Sequence, residues 1–157
     1  MRFLRETVAA VGLALQIGVV WYFWSAAPAQ IPMHYGFSGQ PDSYGSKSSM
    51  LALPVITLVL YAFLTILSFF PQGFNYPVEV TDRNRQRLQA LGVAMIGWLK
   101  AEIAWLFAYI TWIDIRVGLG TSCGLGWAFL PVVLAVIGGT IAIGIVQMRR
   151  AGEVTET

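Results

Sequence analysis

Two sets of residues in this chain could do chemistry. The first lies in residues 31–47, IPMHYGFSGQPDSYGSK, which hold the only His (His34), the acid Asp42 and the base Lys47. Imidazole and carboxylate are common metal ligands, but a zinc site needs three or four, and His34 and Asp42 are only two. No metal is therefore expected. The second set is Lys100 and Glu102, in the middle of a long apolar run. A charge at mid-bilayer costs at least ~2.5–3.5 kcal/mol on insertion scales, which makes such residues functional-site candidates by default. Two residues along a helix is about 200° around it, so this pair cannot easily face itself. Each needs its own partner. Gln16 and Tyr61 fall at similar depth in neighbouring runs and are expected to complete an intramembrane polar layer with Lys100 and Glu102. Trp98, Trp105 and Trp112 recur every seven residues, and Glu102 lies beside the first two on that face. The pair also has a structural reading: Lys100 can snorkel along its own stem, and both residues can simply fasten helices together.

The 31–47 segment is more than a connection. Gly36, Gly39 and Gly45 suit positive-φ positions, and Asp42, between Pro41 and Ser43, suits an Asx turn. Tyr35, Phe37 and Tyr44 lie among them. The expected result is a shaped, self-supporting cap, in which His34, Tyr35, Gly39, Pro41, Asp42, Tyr44 and Lys47 serve as ligand-binding or structural residues. No Gly-x-Ser-x-Gly, His-Glu-x-x-His or phosphate-cradling Gly-Lys-Ser/Thr motif is present. No catalytic residue and no cofactor is assigned, and the reading leans away from an enzyme.

The elements that must position these residues follow from composition. The 157-residue chain is 57% hydrophobic and 11% charged, with mean hydropathy +0.66. Soluble domains are about 25% charged, so the composition predicts an integral membrane protein. A crossing needs about 20 mostly apolar residues, and four windows qualify, near 7–27, 50–70, 91–113 and 125–148. The expected fold is all-α: a single domain over 1–157, a four-helix membrane bundle with a structured extracytoplasmic loop between helices 1 and 2. The first window also has a rival reading as a signal peptide ending near Ala27-Pro28-Ala29, but it is longer than an h-region and closes on an aromatic cluster, Trp21-Tyr22-Phe23-Trp24.

Orientation follows from basic residues. Arg2, Arg5, Arg83, Arg85, Arg87, Arg149 and Arg150 fall on one side, Lys47 and Arg116 on the other. The positive-inside rule places both termini and the second loop in the cytoplasm and turns the 31–47 loop outward. Trp21, Trp24, Trp112 and Trp127 then form an outer aromatic belt. Basic residues at span ends imply contact with membrane lipid, not nucleic acid. Thr81 or Asp82 is expected to cap a helix that runs into the third span. Cys123 reads as a small apolar residue near a helix end. Small residues every four positions (Ala10, Ala14, Gly18; Gly97, Ala101; Gly138, Ala142) mark close helix contacts, within one chain or in a homo-oligomer.

The pattern Ile31-Pro32-x-His34-Tyr35, then Gly39-x-Pro41-Asp42-x-Tyr44-Gly45-Ser46-Lys47, resembles the extracytoplasmic loop of SdpI-type bacterial membrane proteins, over roughly residues 8–70. Asn75-Tyr76-Pro77, Asn84 and Leu99-Lys100-x-Glu102 resemble a subgroup of small proteins with the same domain. The resemblance implies a bacterial inner membrane, immunity to a secreted toxin, signalling through a cytoplasmic repressor held at the membrane, and an outward loop that meets an extracytoplasmic ligand. Three functions remain open. The leading one is binding or sensing of a peptide, toxin or lipid through the loop. The others are an accessory or structural subunit of a larger membrane complex, with membrane-protein partners, and an ion-coupled carrier or intramembrane enzyme using Glu102 and Lys100.

Overall fold

The computed structural model describes residues 1–153. Four helices in it are long and apolar enough to cross a membrane. They are α1 (Arg2–Phe23), α2 (Ala52–Leu67, entered through a 3₁₀ turn at Lys47–Leu51), α3 (Arg85–Gly118) and α4 (Phe129–Glu153). The only sheet among the described residues is a hairpin of β1 (Gln30–Tyr35) and β2 (Pro41–Ser46). The all-α membrane architecture expected from composition is what the chain forms.

α3 is the hub. At 34 residues it is the longest helix, and it packs against α1, α2 and α4. Its inward positions are small or medium, including Gly92, Gly97, Ala101 and Ala104, so neighbouring backbones come close. Gly12 of α1 shows how tight this is: a Cβ there would lie 3.0 Å from the Trp105 ring and 3.2 Å from the Ala104 side chain. The other faces carry apolar side chains outward, among them Val55, Leu58, Val59 and Phe63 on α2 and Val132, Leu134, Val136 and Ile143 on α4. Apolar surface this continuous is unfavourable in water and neutral in lipid.

Two small cores close the ends. At the hairpin end, Ile31 joins Val20, Ala27, Met50 and Ile115. At the opposite end, Leu88, Met148 and Ala151 pack with Tyr76 and Val78 of the connecting segment.

Several local expectations change. The structured cap takes the form of a β-hairpin. Of Gly36, Gly39 and Gly45, only Gly39 has positive φ (74°). Gly45 is in β2, where a Cβ would lie 2.6 Å from the Met33 side chain, so its need is space, not conformation. Asp42 makes no Asx turn. It lies in β2 and turns its carboxylate to His34. The third span starts at Arg85, with Asn84 at the N-cap position in place of Thr81 or Asp82. The Asn84 side chain accepts from Thr81 N–H (2.8 Å) and donates to the Glu79 carbonyl (2.9 Å), bracing the turn before α3. Residues 114–118, expected in a turn, continue α3. Cys123 is exposed in the α3–α4 connection. On α1 the stripe Ala10–Ala14–Gly18 faces outward, while Ala9, Gly12, Gln16 and Val20 face α3.

Candidate functional site

The hairpin is assembled by antiparallel pairing of Ile31 with Gly45 and Pro32 with Tyr44, followed by a register shift that sets His34 opposite Ser43. Pro41 is the first residue of β2 and Pro32 lies in a strand with a free edge, positions where a missing N–H is tolerated. The tip closes with Gly36 N–H on the Gln40 carbonyl and Gly39 N–H on the Gly36 carbonyl, both 2.9 Å. The irregular register brings His34 Nδ1 within 2.6 Å of Asp42 Oδ1. Both side chains remain open to solvent, 70% and 52% exposed, so the pair is available to an outside group.

Besides the packing of Ile31, three contacts dock the hairpin and its base. The Tyr35 hydroxyl donates to Asp114 Oδ1 of α3 at 2.6 Å. Burial, and then the bond to Asp114, pushes the Tyr35 phenol well above the ordinary tyrosine range, so it stays a donor at all physiological pH. The Gly39 carbonyl accepts from Leu125 N–H at 2.8 Å, which ties the tip to the α3–α4 connection. A Cβ at Gly39 would collide with the Gly126 backbone, which explains why glycine is required there. At the base, the Lys47 ammonium lies 5.4 Å from the centre of the Trp24 ring, a cation–π contact at the end of α1. Tyr44 is exposed. Between tip and connection lies a cleft of about 410 Å³, lined by His34, Tyr35, Phe37, Asp42, Gly126 and Phe129 among others. Phe37 is 94% exposed at its edge.

The second set of residues separates into three sites. Lys100 is 2% exposed, and its ammonium donates to Glu6 Oε2 (2.6 Å) and Thr65 Oγ1 (2.9 Å). It also lies 4.6 Å from the centre of the Tyr61 ring, whose hydroxyl donates to the same Glu6 oxygen at 3.3 Å. Helical side chains lean toward their own N-terminus, and this carries the Lys100 head toward the start of α1, where Glu6 waits. Gln16 is elsewhere: its amide donates to Thr111 Oγ1 at 3.0 Å, and it is fully buried. Thr111 is eleven residues beyond Lys100, about 16 Å along a helix. Glu102 faces α4, where Thr140 donates to its Oε1; its Oε2 is shut off from water with no hydrogen-bond partner. Tyr61 and Lys100 thus meet, while Gln16 and Glu102 each stand apart.

Sequence reasoning missed Glu6 and Asp114. Glu6 precedes the first apolar window and Asp114 follows the third, so both read as end charges. A signal existed for Glu6: one buried Lys requires one anion, and Glu6 is the only acid ahead of the first window.

Residues 11–58, from α1 through the hairpin into α2, match a family described as a domain of unknown function (DUF1648). An uncharacterized protein of Archaeoglobus fulgidus is 28% identical over 75 residues, covering 40% of this chain and 41% of that protein. The chain therefore spans about two fifths of the length of the curated relative it matches. No solved structure matches.

Proposed function

We propose that this is a membrane-embedded binding protein that recognises an extracytoplasmic ligand, a peptide, toxin or lipid, through the hairpin. The supporting observation is the exposed His34–Asp42 pair at 2.6 Å beside exposed Phe37, on a cleft between two braced backbones. A side-chain pair that only held the hairpin together would contribute little in this position, since exposed polar pairs contribute ~0–1 kcal/mol. The match over residues 11–58 takes in the hairpin with the second half of α1 and the start of α2, the segment on which this reading rests. In this reading the chain is one domain in a plasma membrane, both termini are cytoplasmic, and His34, Tyr35, Gly39, Pro41, Asp42, Tyr44 and Lys47 form or support the site. His34, Asp42 and Phe37 face the ligand. Tyr35, Gly39 and Lys47 hold the hairpin in place.

Recovery of the tagged protein in gentle detergent, with mass spectrometry of what it retains, tests this. A co-purified peptide or lipid should be lost from His34→Ala and Asp42→Asn at unchanged abundance. Retention of the same molecule by both variants would overturn the reading. Membrane subunits at fixed stoichiometry, indifferent to both changes, would give the hairpin to a structural role in a complex.

A further inference from the structure

A second cavity adjoins the hairpin cleft along the α3–α4 side. It is a groove of about 680 Å³ between α3 and α4, with Val8 of α1 at its floor. Its walls are Trp98, Trp105, Leu106 and Tyr109 of α3 and Phe129, Val132, Val133, Val136 and Ile137 of α4. This volume is in the range of small-molecule sites, about 300–1,000 Å³. The lining is apolar and aromatic with one carboxyl exception, Glu102.

Glu102 is only partly buried and differs from Lys100, the buried charge of α3. Lys100 has an anion, a hydroxyl and an aromatic face around it. Glu102 has only the Thr140 hydroxyl, on one oxygen, and its second oxygen has no partner. A carboxylate among apolar walls is costly unless a cation or further donors complete it. Among the described residues no Lys, Arg or His lines the groove, so the protein does not itself supply that cation. Aromatic faces are what the walls do supply: Trp98, Trp105 and Tyr109 are each more than 40% exposed on α3. Aromatic rings attract ammonium groups, most strongly where water is excluded. An apolar body would meet the valines and leucines at no desolvation cost.

We propose that the α3–α4 groove is a binding site for a membrane-soluble amine, an apolar body with a protonated nitrogen, and that the Glu102 carboxylate is its counter-charge. Oε2 is enclosed as it stands, so Glu102 meets the ligand by a change of side-chain rotamer that turns its carboxylate toward the groove. The Trp98 and Trp105 rings flank the head, and the body lies along Leu106, Val132 and Val133. Entry is lateral, from the bilayer, because α4 presents its wall residues Val132 and Val136 outward. This site is independent of the hairpin cleft, although Leu125 and Phe129 border both.

The test is titration of the intact protein, in phosphatidylcholine nanodiscs, with dodecylamine, 1-dodecanol and dodecanoate, read by tryptophan emission and thermal unfolding. Dodecylamine should bind saturably and about tenfold or more tighter than the alcohol, with dodecanoate weakest. Glu102→Gln keeps the shape and an acceptor for Thr140, and should bring amine affinity down to that of the alcohol. Val133→Trp fills the groove with Glu102 intact and should abolish binding of both, which covers the case of a poorly folded Glu102 variant. Equal binding of amine and alcohol, unchanged binding in either variant, or no saturable binding would each overturn the proposal. A homodimer by light scattering that Val133→Trp dissociates would assign the groove to a second copy and overturn it as well.

Discussion

Lys100 and Glu102 occupy the same level of α3, about 200° apart, and the contrast between them separates structural charge from available charge. On the α1–α2 side Lys100 is enclosed, with Glu6, Thr65 and Tyr61 meeting its ammonium. The Thr65 hydroxyl that accepts from Lys100 donates in turn to the Tyr61 carbonyl at 2.7 Å, so that group too is satisfied. On the α4 side Glu102 is half met and borders open volume. Both are expensive residues in a membrane. A charge that is fully paired has spent its interactions on holding helices together. One that is partly paired beside a cavity keeps interactions for something else. The hairpin repeats the contrast, since Tyr35–Asp114 is half-buried and joins two elements, whereas His34–Asp42 is exposed within one hairpin.

The sharpest way to break the comparison is at Glu6. Glu6→Gln leaves Lys100 buried without its anion, and removing one member of such a pair costs about 3–5 kcal/mol. With the Glu6 side chain 32% exposed, the loss should fall near the lower figure, as reduced abundance and a lower unfolding midpoint. Glu6→Gln combined with Lys100→Met should recover most of it. A double variant no better than the single would show that Lys100 is not the source of the cost.

Tyr35→Phe comes next. It strips the half-buried Asp114 of its donor, for about 1–3 kcal/mol, and should loosen the hairpin from α3 without unfolding the bundle. Protease accessibility of residues 30–46 is the readout, and unchanged cleavage would sink the docking role. The same pair has a pH signature. Because the folded state raises the phenol's pKa, its contribution is complete below the ordinary tyrosine range near pH 10 and is lost as pH rises beyond it. Alkaline loss of stability should therefore be smaller in Tyr35→Phe.

The smallest stability effect belongs to Glu102→Gln, which keeps an acceptor for Thr140 and should cost less than about 0.6 kcal/mol, the average for a whole hydrogen bond between membrane helices. A much larger loss would make Glu102 a fastener like Lys100 and erase the distinction.

Much of this was legible along the chain. Four apolar runs near the length of a bilayer predict four helices, and the structure has them, displaced by two to six residues at most ends. At the start of α1, both ends of α3 and the end of α4 the helix outruns the apolar window, because hydropathy marks where lipid begins whereas a helix continues until its hydrogen bonds run out; at the other four ends the helix stops inside the window. Asp114 and Arg116 are too polar for the apolar window and remain in α3. The glycines and prolines of residues 31–47 marked a shaped segment but not its form. Only Gly39 needed its φ, and the strands arose from pairing that neither half could show alone.

Composition by itself determined that this chain belongs in a membrane and how many times it can cross, because both depend on summed hydropathy and length. It also determined that Lys100 and Glu102 would need partners, since a lone charge in an apolar run has none nearby. Which partners they found, Glu6 from the start of α1 and Thr140 from α4, was decided only by tertiary structure. Those contacts depend on helix rotation and depth, set by packing of small residues against large ones across α3. The same packing left the second oxygen of Glu102 unpartnered beside a groove, a property of the space between helices that no position in the chain carries on its own.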